Sequence, residues 1–213
     1  MNSTAGLLAL SIVVGLGACN SNSVAGDRSA KAGGEVETGT VTKFEVLQGG
    51  AIDTAAYEDA GSLVDNWIWE DGRGRNVALF IEEATRLRVR VYHEVGEQQQ
   101  LVFELKDSLV DCESDIFLQF LPASISVTDL DGDNLAEMTF AYEKACLSDV
   151  SPKGLYLYTV EGDKPYALRG TTAVVLAAEE LAPAKIDQDG FTGAPAALRD
   201  HALELWGAVS GGR

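Results

Sequence analysis

The sequence predicts a mainly β fold of the α+β class, with antiparallel sheets and one C-terminal helix packed on a face. Short apolar segments recur at close intervals, and Gly, Asp, Pro or Ser residues separate them. No long amphipathic helix interrupts these segments, which argues against a parallel α/β sheet. The chain has 213 residues, 46% of them apolar, enough for one ordinary domain with accessory segments. We therefore predict a single β-rich domain over residues 41–213.

The clearest strand signal lies in residues 86–93, where apolar residues alternate with arginines. A second alternating segment, residues 101–106, follows after a glycine-containing turn, so the two predict a hairpin. Its outward-facing residues Arg88 and Arg90 would meet Glu104 across the strands. These arginines have two interpretations: solvated cross-strand ion pairs, or a weak binding site for an anionic glycan or a phosphate group.

Six more apolar segments complete the predicted strands: residues 77–81, 116–121, 125–128, 138–142, 155–160 and 166–169. The C-terminal helix is predicted from Pro195 at a first-turn position and from Gly207 as the stop. Its apolar stripe consists of Leu198, Ala202, Leu205 and Trp206. The stripe predicts that the helix lies across one face of the sheet.

Two tryptophans, Trp67 and Trp69, fall on one side of a further strand. Paired indoles can form a stacking platform for a sugar, but large aromatic side chains more often pack in a core. Trp67 and Trp69 are therefore either core residues or candidates for ligand binding.

The chemically most informative segment is residues 129–137, with the sequence DLDGDNLAE. Its carboxylates stand at positions 1, 3, 5 and 9, between two apolar strands. Like charges about 4 Å apart repel by several kcal/mol at an effective dielectric constant near 20. A hard divalent cation removes that repulsion, and calcium tolerates irregular oxygen geometry better than magnesium does. The segment predicts a structural calcium site, with magnesium as second choice and a solvated Asp-Gly turn as the alternative.

This spacing resembles the calcium loops of integrin-α propeller repeats, whose pattern is D-x-D-x-D-G-x-x-D between two strands. The resemblance covers nine residues. It implies a ligand set of side chains and one carbonyl: Asp129, Asp131, Asp133, the Leu135 carbonyl and Glu137. Asn134 stands where the pattern has a glycine in a left-handed turn, a conformation that asparagine tolerates. Glu137 replaces the closing aspartate.

Residues 5–19 are uncharged and apolar, but they are fewer than the roughly 20 residues that span a bilayer. They predict an export signal, and their last four residues, LGAC, resemble a bacterial lipobox. The resemblance implies a signal peptide over residues 1–18, lipid attachment at Cys19, and an outer-membrane lipoprotein facing the periplasm or the surface. Residues 19–40 lack any apolar period and predict a flexible tether. An ordinary secretory signal or an uncleaved anchor is the alternative.

With Cys19 acylated, Cys112 and Cys146 remain as an even pair in a compartment that permits disulfides. We therefore expect them to form a disulfide. A metal site at these cysteines has little support because the chain has no C-x-x-C motif. Two unpaired buried thiols are the other alternative.

A wider resemblance rests on three stretches: DLDGDNLAEMTFAY at 129–142, CLSDVSP at 146–152 and YALRGTT at 166–172. In their order along the chain and in their residues, these stretches resemble a family of bacterial envelope proteins without an established activity. Some members carry a label that links them to surface-polysaccharide biosynthesis. The resemblance implies a cell-envelope setting rather than a reaction.

The chain has 33 acidic and 16 basic residues, a net charge of −17, which opposes binding to nucleic acid and to acidic lipid head groups. It contains no G-x-S-x-G or H-E-x-x-H motif. We expect a noncatalytic domain that contacts the membrane through its lipid anchor and binds or assists a surface polysaccharide or an envelope protein. The alternative is a carbohydrate-active hydrolase that uses an acidic pair.

Overall fold

The computed structural model describes residues 44–57, 62–147, 150–177 and 179–211, which belong to one compact unit. These residues form antiparallel sheets and a single α-helix, so the predicted fold class is confirmed. The predicted signal peptide, Cys19 and the tether lie outside the described residues. Within the described part of the chain, no helix is both long enough and apolar enough to cross a membrane.

The chain forms thirteen described strands, followed by the helix. The strands are β1 (Val46–Gln48), β2 (Leu63–Asp71), β3 (Gly74–Glu83), β4 (Arg86–Val95), β5 (Gln98–Ser108), β6 (Asp115–Phe120), β7 (Ser126–Thr128), β8 (Glu137–Leu147), β9 (Gly154–Glu161), β10 (Lys164–Thr171), β11 (Val174–Leu176), β12 (Glu179–Ala182) and β13 (Lys185–Asp187). The first sheet has the order β1-β2-β3-β4-β5, and the second has the order β13-β10-β9-β8-β6, with β7 also paired to β8. Strands β11 and β12 form a separate ribbon.

The main core lies between the two sheets. Alternate residues of each strand point to opposite faces, so β8 sends Met138, Phe140 and Tyr142 inward and Thr139 and Ala141 outward. The inward residues of β8 pack with residues of the first sheet, among which are Trp69, Phe80, Val89, Val91 and Phe103. The molecule is therefore a β-sandwich with a continuous apolar layer between its sheets.

The helix α1 (Ala196–Val209) covers the outer face of the second sheet, where Leu198 and Trp206 pack against apolar residues of β9 and β10. This confirms the predicted packing. The helix runs through Gly207 and ends at Val209, two residues beyond the predicted stop. Val209 is buried in the same cluster, three residues after Trp206. Its burial outweighs the roughly 1 kcal/mol that a glycine costs inside a helix.

Cys112 and Cys146 form a disulfide, as the sequence predicted. Their Cα atoms lie 5.6 Å apart, and the bond joins the β5–β6 connection to the end of β8. It therefore ties the connection that leaves the first sheet to the end of a strand of the second sheet.

Candidate metal centre

The acidic loop, residues 129–136, joins β7 to β8 at one end of the sandwich. Asp129 directly follows β7, and Glu137 is the first residue of β8. Strands β7 and β8 are antiparallel neighbours with Thr128 opposite Glu137, so both ends of the loop are held in register. The short span between two paired strands forces the loop's side chains close together.

Asp129 determines the shape of this loop. It is 1% exposed, and its carboxylate oxygens accept hydrogen bonds from the backbone N–H groups of Gly132, at 2.7 Å, and Asn134, at 3.2 Å. Asn134 has a φ of 69°, the left-handed conformation that the sequence predicted at this position. The Leu135 N–H donates to Asp133 Oδ1 at 2.8 Å. Backbone hydrogen bonds within the loop therefore fix the position of the Asp129 carboxylate.

The carboxylates of the loop fall into two groups that share Asp131. In the first group, Asp129, Asp131 and Glu137 each offer one oxygen, and these oxygens lie within 4.8 Å of one another. The second group combines Asp131 with Asp133 and Glu161 in the same way. Calcium binds oxygens at 2.3–2.6 Å, so oxygens this close can share one ion. The first group could therefore hold a metal ion, as the sequence predicted, whereas Asp133 belongs to the second group.

Glu137 is the buried member of this acidic cluster, which we define as Asp129, Asp131, Asp133, Glu137 and Glu161. Its side chain is fully buried. Its Oε2 accepts a hydrogen bond from the Leu130 N–H at 2.7 Å, while Oε1 has no hydrogen-bond partner among the described residues. Burial raises the pKa of Glu137 to about 8, against the Leu130 hydrogen bond and with help from the negative charge of Asp131. An ionised Glu137 is therefore costly unless a cation accompanies it.

Glu161 is the cluster member that sequence analysis missed. It lies at the end of β9, and the β8–β9 register places it directly opposite Glu137. Burial raises the pKa of Glu161, and the charges of Asp133 and Asp131 raise it further. The sequence contains only a weak signal for this residue, its position just before the Gly162 turn, because the pairing of β8 with β9 is not local.

The acidic loop also contacts the first sheet through the turn between β2 and β3. The Gly72 N–H donates to the Asn134 carbonyl at 2.7 Å, and the Ala136 N–H donates to Asp71 Oδ2 at 3.2 Å. The same Asp71 oxygen accepts a hydrogen bond from the Trp69 indole at 3.3 Å. The loop conformation therefore depends on both sheets.

The predicted aromatic ligand residues belong largely to the core. Trp69 is 4% exposed, and half-buried Trp67 packs against the same core. Trp69 borders a cavity of about 60 Å³ behind the acidic loop, together with Leu135 of the loop and His93 of β4. The structure thus brings Trp69 and Leu135 together, in a space far smaller than a sugar-binding cleft.

The predicted arginines lie elsewhere on the first sheet. Arg90 is 6% exposed and forms the predicted cross-strand pair, with Nε 2.7 Å from Glu104 Oε1. Arg88 Nη2 lies 3.1 Å from Glu83 Oε1. Arg88 also lines a groove of about 530 Å³ with Arg86, Lys106, Glu83 and Asp107. We call this the basic groove.

The acidic cluster offers oxygen ligands for a hard cation, and it lies apart from the basic groove. The two regions share no lining residue among those described. The chain matches no protein-family model, no curated protein and no solved structure. The assignment of a function therefore depends on the geometry of these two regions.

Proposed function

We propose that this chain is a calcium-stabilised recognition domain of the bacterial cell envelope, anchored by a lipid on Cys19, that binds a surface polysaccharide or an envelope protein. The observation that carries the calcium site is the fully buried Glu137 carboxylate, whose Oε1 has no hydrogen-bond partner among the described residues. Oxygens of Asp129 and Asp131 lie within 4.8 Å of a Glu137 oxygen. A divalent cation at this position offsets two of the three negative charges and gives Glu137 Oε1 a partner.

Calcium suits the site better than magnesium does. Calcium accepts six to eight oxygens in irregular geometry, while magnesium requires a near-ideal octahedron and retains several waters. The acidic loop supplies carboxylates from an irregular turn, two of whose residues, Gly132 and Asn134, have positive φ. The predicted Leu135 carbonyl and bound water would complete the coordination.

The calcium site is tested by thermal unfolding of the full chain with excess chelator or with calcium. At about 100 times its dissociation constant, calcium adds roughly 2.7 kcal/mol of stability, which raises the midpoint by roughly 5 to 11 °C. Asp131→Asn removes a ligand charge, and no described hydrogen bond uses that exposed carboxylate; we expect this variant to lose most of the rise.

Asp163→Asn is the matched control, because Asp163 is an exposed aspartate in the adjacent β9–β10 turn and lies outside both carboxylate groups. It should keep the full calcium response. Equal midpoints for the wild type with chelator and with calcium contradict the calcium site.

The basic groove supports recognition of an acidic glycan. Three cations line it in a chain whose net charge is −17. Arg88 pairs with Glu83 and Lys106 with Glu104, while the lining Asp107 pairs with Lys144. Arg86 is exposed and has no ion pair among the described residues, so it is the cation best placed to meet an acidic ligand. An array of acidic and neutral oligosaccharides tests this binding. We expect retention of acidic members only, and weaker retention by Arg86→Gln. Equal retention of neutral members contradicts the proposal.

A panel of chromogenic glycosides separates this proposal from the hydrolase alternative. The full burial of Glu137 favours a structural role, because a general acid must reach the glycosidic oxygen. Retention without turnover supports a recognition domain, whereas turnover supports the hydrolase.

The lipid anchor is tested by mass spectrometry of the mature protein, which should find an acylated Cys19 at the amino terminus. An unmodified amino terminus at another residue contradicts the lipid anchor.

A further inference from the structure

Strand β7 carries two buried hydroxyl groups on the face that points away from the main core. Neither Ser126 Oγ nor Thr128 Oγ1 has a hydrogen-bond partner among the described residues. Val127, which lies between them, points into the main core. Buried hydroxyls are nearly always hydrogen-bonded, so each of these two requires a physical explanation.

The β7–β8 register gives the two hydroxyls different neighbours. Ser126 lies opposite Thr139, whose hydroxyl pairs with that of Thr159 at 3.1 Å. Thr128 lies opposite Glu137, whose Oε1 also has no partner among the described residues. Of the two residues, Thr128 is therefore the one paired with a member of the acidic cluster.

Directly opposite residues of an antiparallel pair have Cβ atoms about 4.5 to 5.5 Å apart, and their side chains point to the same face. The Thr128 and Glu137 side chains therefore lie on the same face of neighbouring strands, and Thr128 also directly precedes Asp129. A hydroxyl oxygen has lone pairs that can face a cation. One bound cation would thus satisfy both Glu137 Oε1 and Thr128 Oγ1.

We propose that the Thr128 hydroxyl is the fourth side-chain oxygen of the cation site, beside the carboxylates of Asp129, Asp131 and Glu137. This inference rests on the proposed calcium function. A hydroxyl adds an oxygen to the coordination shell without adding charge, in a cluster that already holds five carboxylates. This neutral ligand raises the number of coordinating oxygens toward the six to eight that calcium takes.

Calcium titration calorimetry on the full chain tests the inference. Thr128→Val replaces the hydroxyl with a methyl group of similar size, and we expect it to weaken calcium binding about tenfold, the lower end of what is lost with a supporting ligand. Ser126→Ala is the matched control, because it removes the other unpartnered hydroxyl of the same face. It should leave calcium affinity within about twofold of wild type.

Thr128→Ser, which keeps the hydroxyl, should restore most of the affinity, and Thr128→Ala should show the same loss as the valine variant. A serine variant as weak as the valine variant overturns the inference, because packing would then explain the loss. If the wild type binds calcium and both hydroxyl-free variants bind it equally well, the Thr128 inference alone fails. If the wild type binds no calcium, the proposed function fails with it.

Discussion

Strand β8 begins in the acidic cluster at Glu137 and reaches the disulfide at Cys146, roughly 30 Å away in extended conformation. Near its far end, Lys144 Nζ lies 2.8 Å from both carboxylate oxygens of Asp107, and the Tyr142 hydroxyl donates to Asp107 at 2.7 Å. Covalent and ionic partners at this end all come from within the chain.

The other end of β8 has the opposite arrangement. Glu137 lies directly opposite Glu161, and Asp131 adds a further negative charge. Like charges on directly opposite residues destabilise a sheet. The disulfide end thus pairs its charges within the chain, while the acidic end gathers like charges, which the proposed calcium ion would offset. Changes at the two ends should therefore separate overall stability from the calcium response.

The largest expected loss of unfolding free energy comes from changes at the disulfide end of β8. Combined Cys112→Ser and Cys146→Ser substitutions open a link across 34 residues, which the chain-entropy model values at roughly 3 to 4 kcal/mol of unfolding free energy. Urea denaturation with and without calcium measures the unfolding free energy lost with the disulfide and the increment that calcium adds. The variant should keep the calcium increment of the wild type, and loss of that increment contradicts the independence of the two ends.

A smaller effect is expected from Asp107→Asn, which removes the charge that pairs with Lys144. Burial alone would raise the pKa of Asp107, but hydrogen bonds from Lys144 and Tyr142 outweigh it and hold the pKa below its ordinary value of 3.8. Removing this charge-assisted pairing should cost roughly 1 to 3 kcal/mol at neutral pH.

The pH dependence of that loss follows from the lowered pKa. The stability that Asp107 supplies is fully present above its unfolded pKa and disappears as the pH falls through the lower folded pKa. The difference in unfolding free energy between wild type and Asp107→Asn should therefore shrink as the pH falls below about 3.8, the ordinary pKa of the group. Exposed Asp111→Asn is the control, and a pH-independent difference would show that the ion pair is not its source.

Local patterns account for what sequence analysis predicted correctly. The alternation in residues 86–93 and 101–106 gave the β4–β5 hairpin with its Arg90–Glu104 pair, and the carboxylate spacing gave the loop. Both signals lie within about twenty consecutive residues. Strands such as β1 and β13 have only three residues each, too few to show an alternation.

The members of the site that the sequence did not reveal depend on register between strands. Glu161 adjoins Glu137 because of the β8–β9 pairing, and Asp71 and Gly72 reach the acidic loop from the other sheet. A one-residue slip in the β8–β9 pairing would turn Glu161 to the opposite face, and the Asp71 and Gly72 contacts come from a turn that is distant in the sequence. No local pattern encodes that choice, so the sequence predicted the loop but not its surroundings.

The smallest expected effect tests the contact between the acidic loop and the first sheet. A Cβ atom at Gly72 would lie 2.7 Å from Asn134 Nδ2 and 2.8 Å from the Asn134 carbonyl oxygen, so Gly72→Ala must move the loop backbone. It should weaken calcium binding about threefold, the equivalent of part of one hydrogen bond. Titration calorimetry measures this change.

Gly207→Ala in α1 is the control, since a Cβ there meets no atom within 4 Å. It should raise the unfolding free energy by about 0.5 to 1 kcal/mol and leave calcium affinity unchanged. If Gly72→Ala binds calcium as tightly as the wild type, the first sheet does not set the loop conformation. The acidic end would then depend on the second sheet alone, and a bound cation would stabilise the β7–β8 connection without fastening the two sheets together.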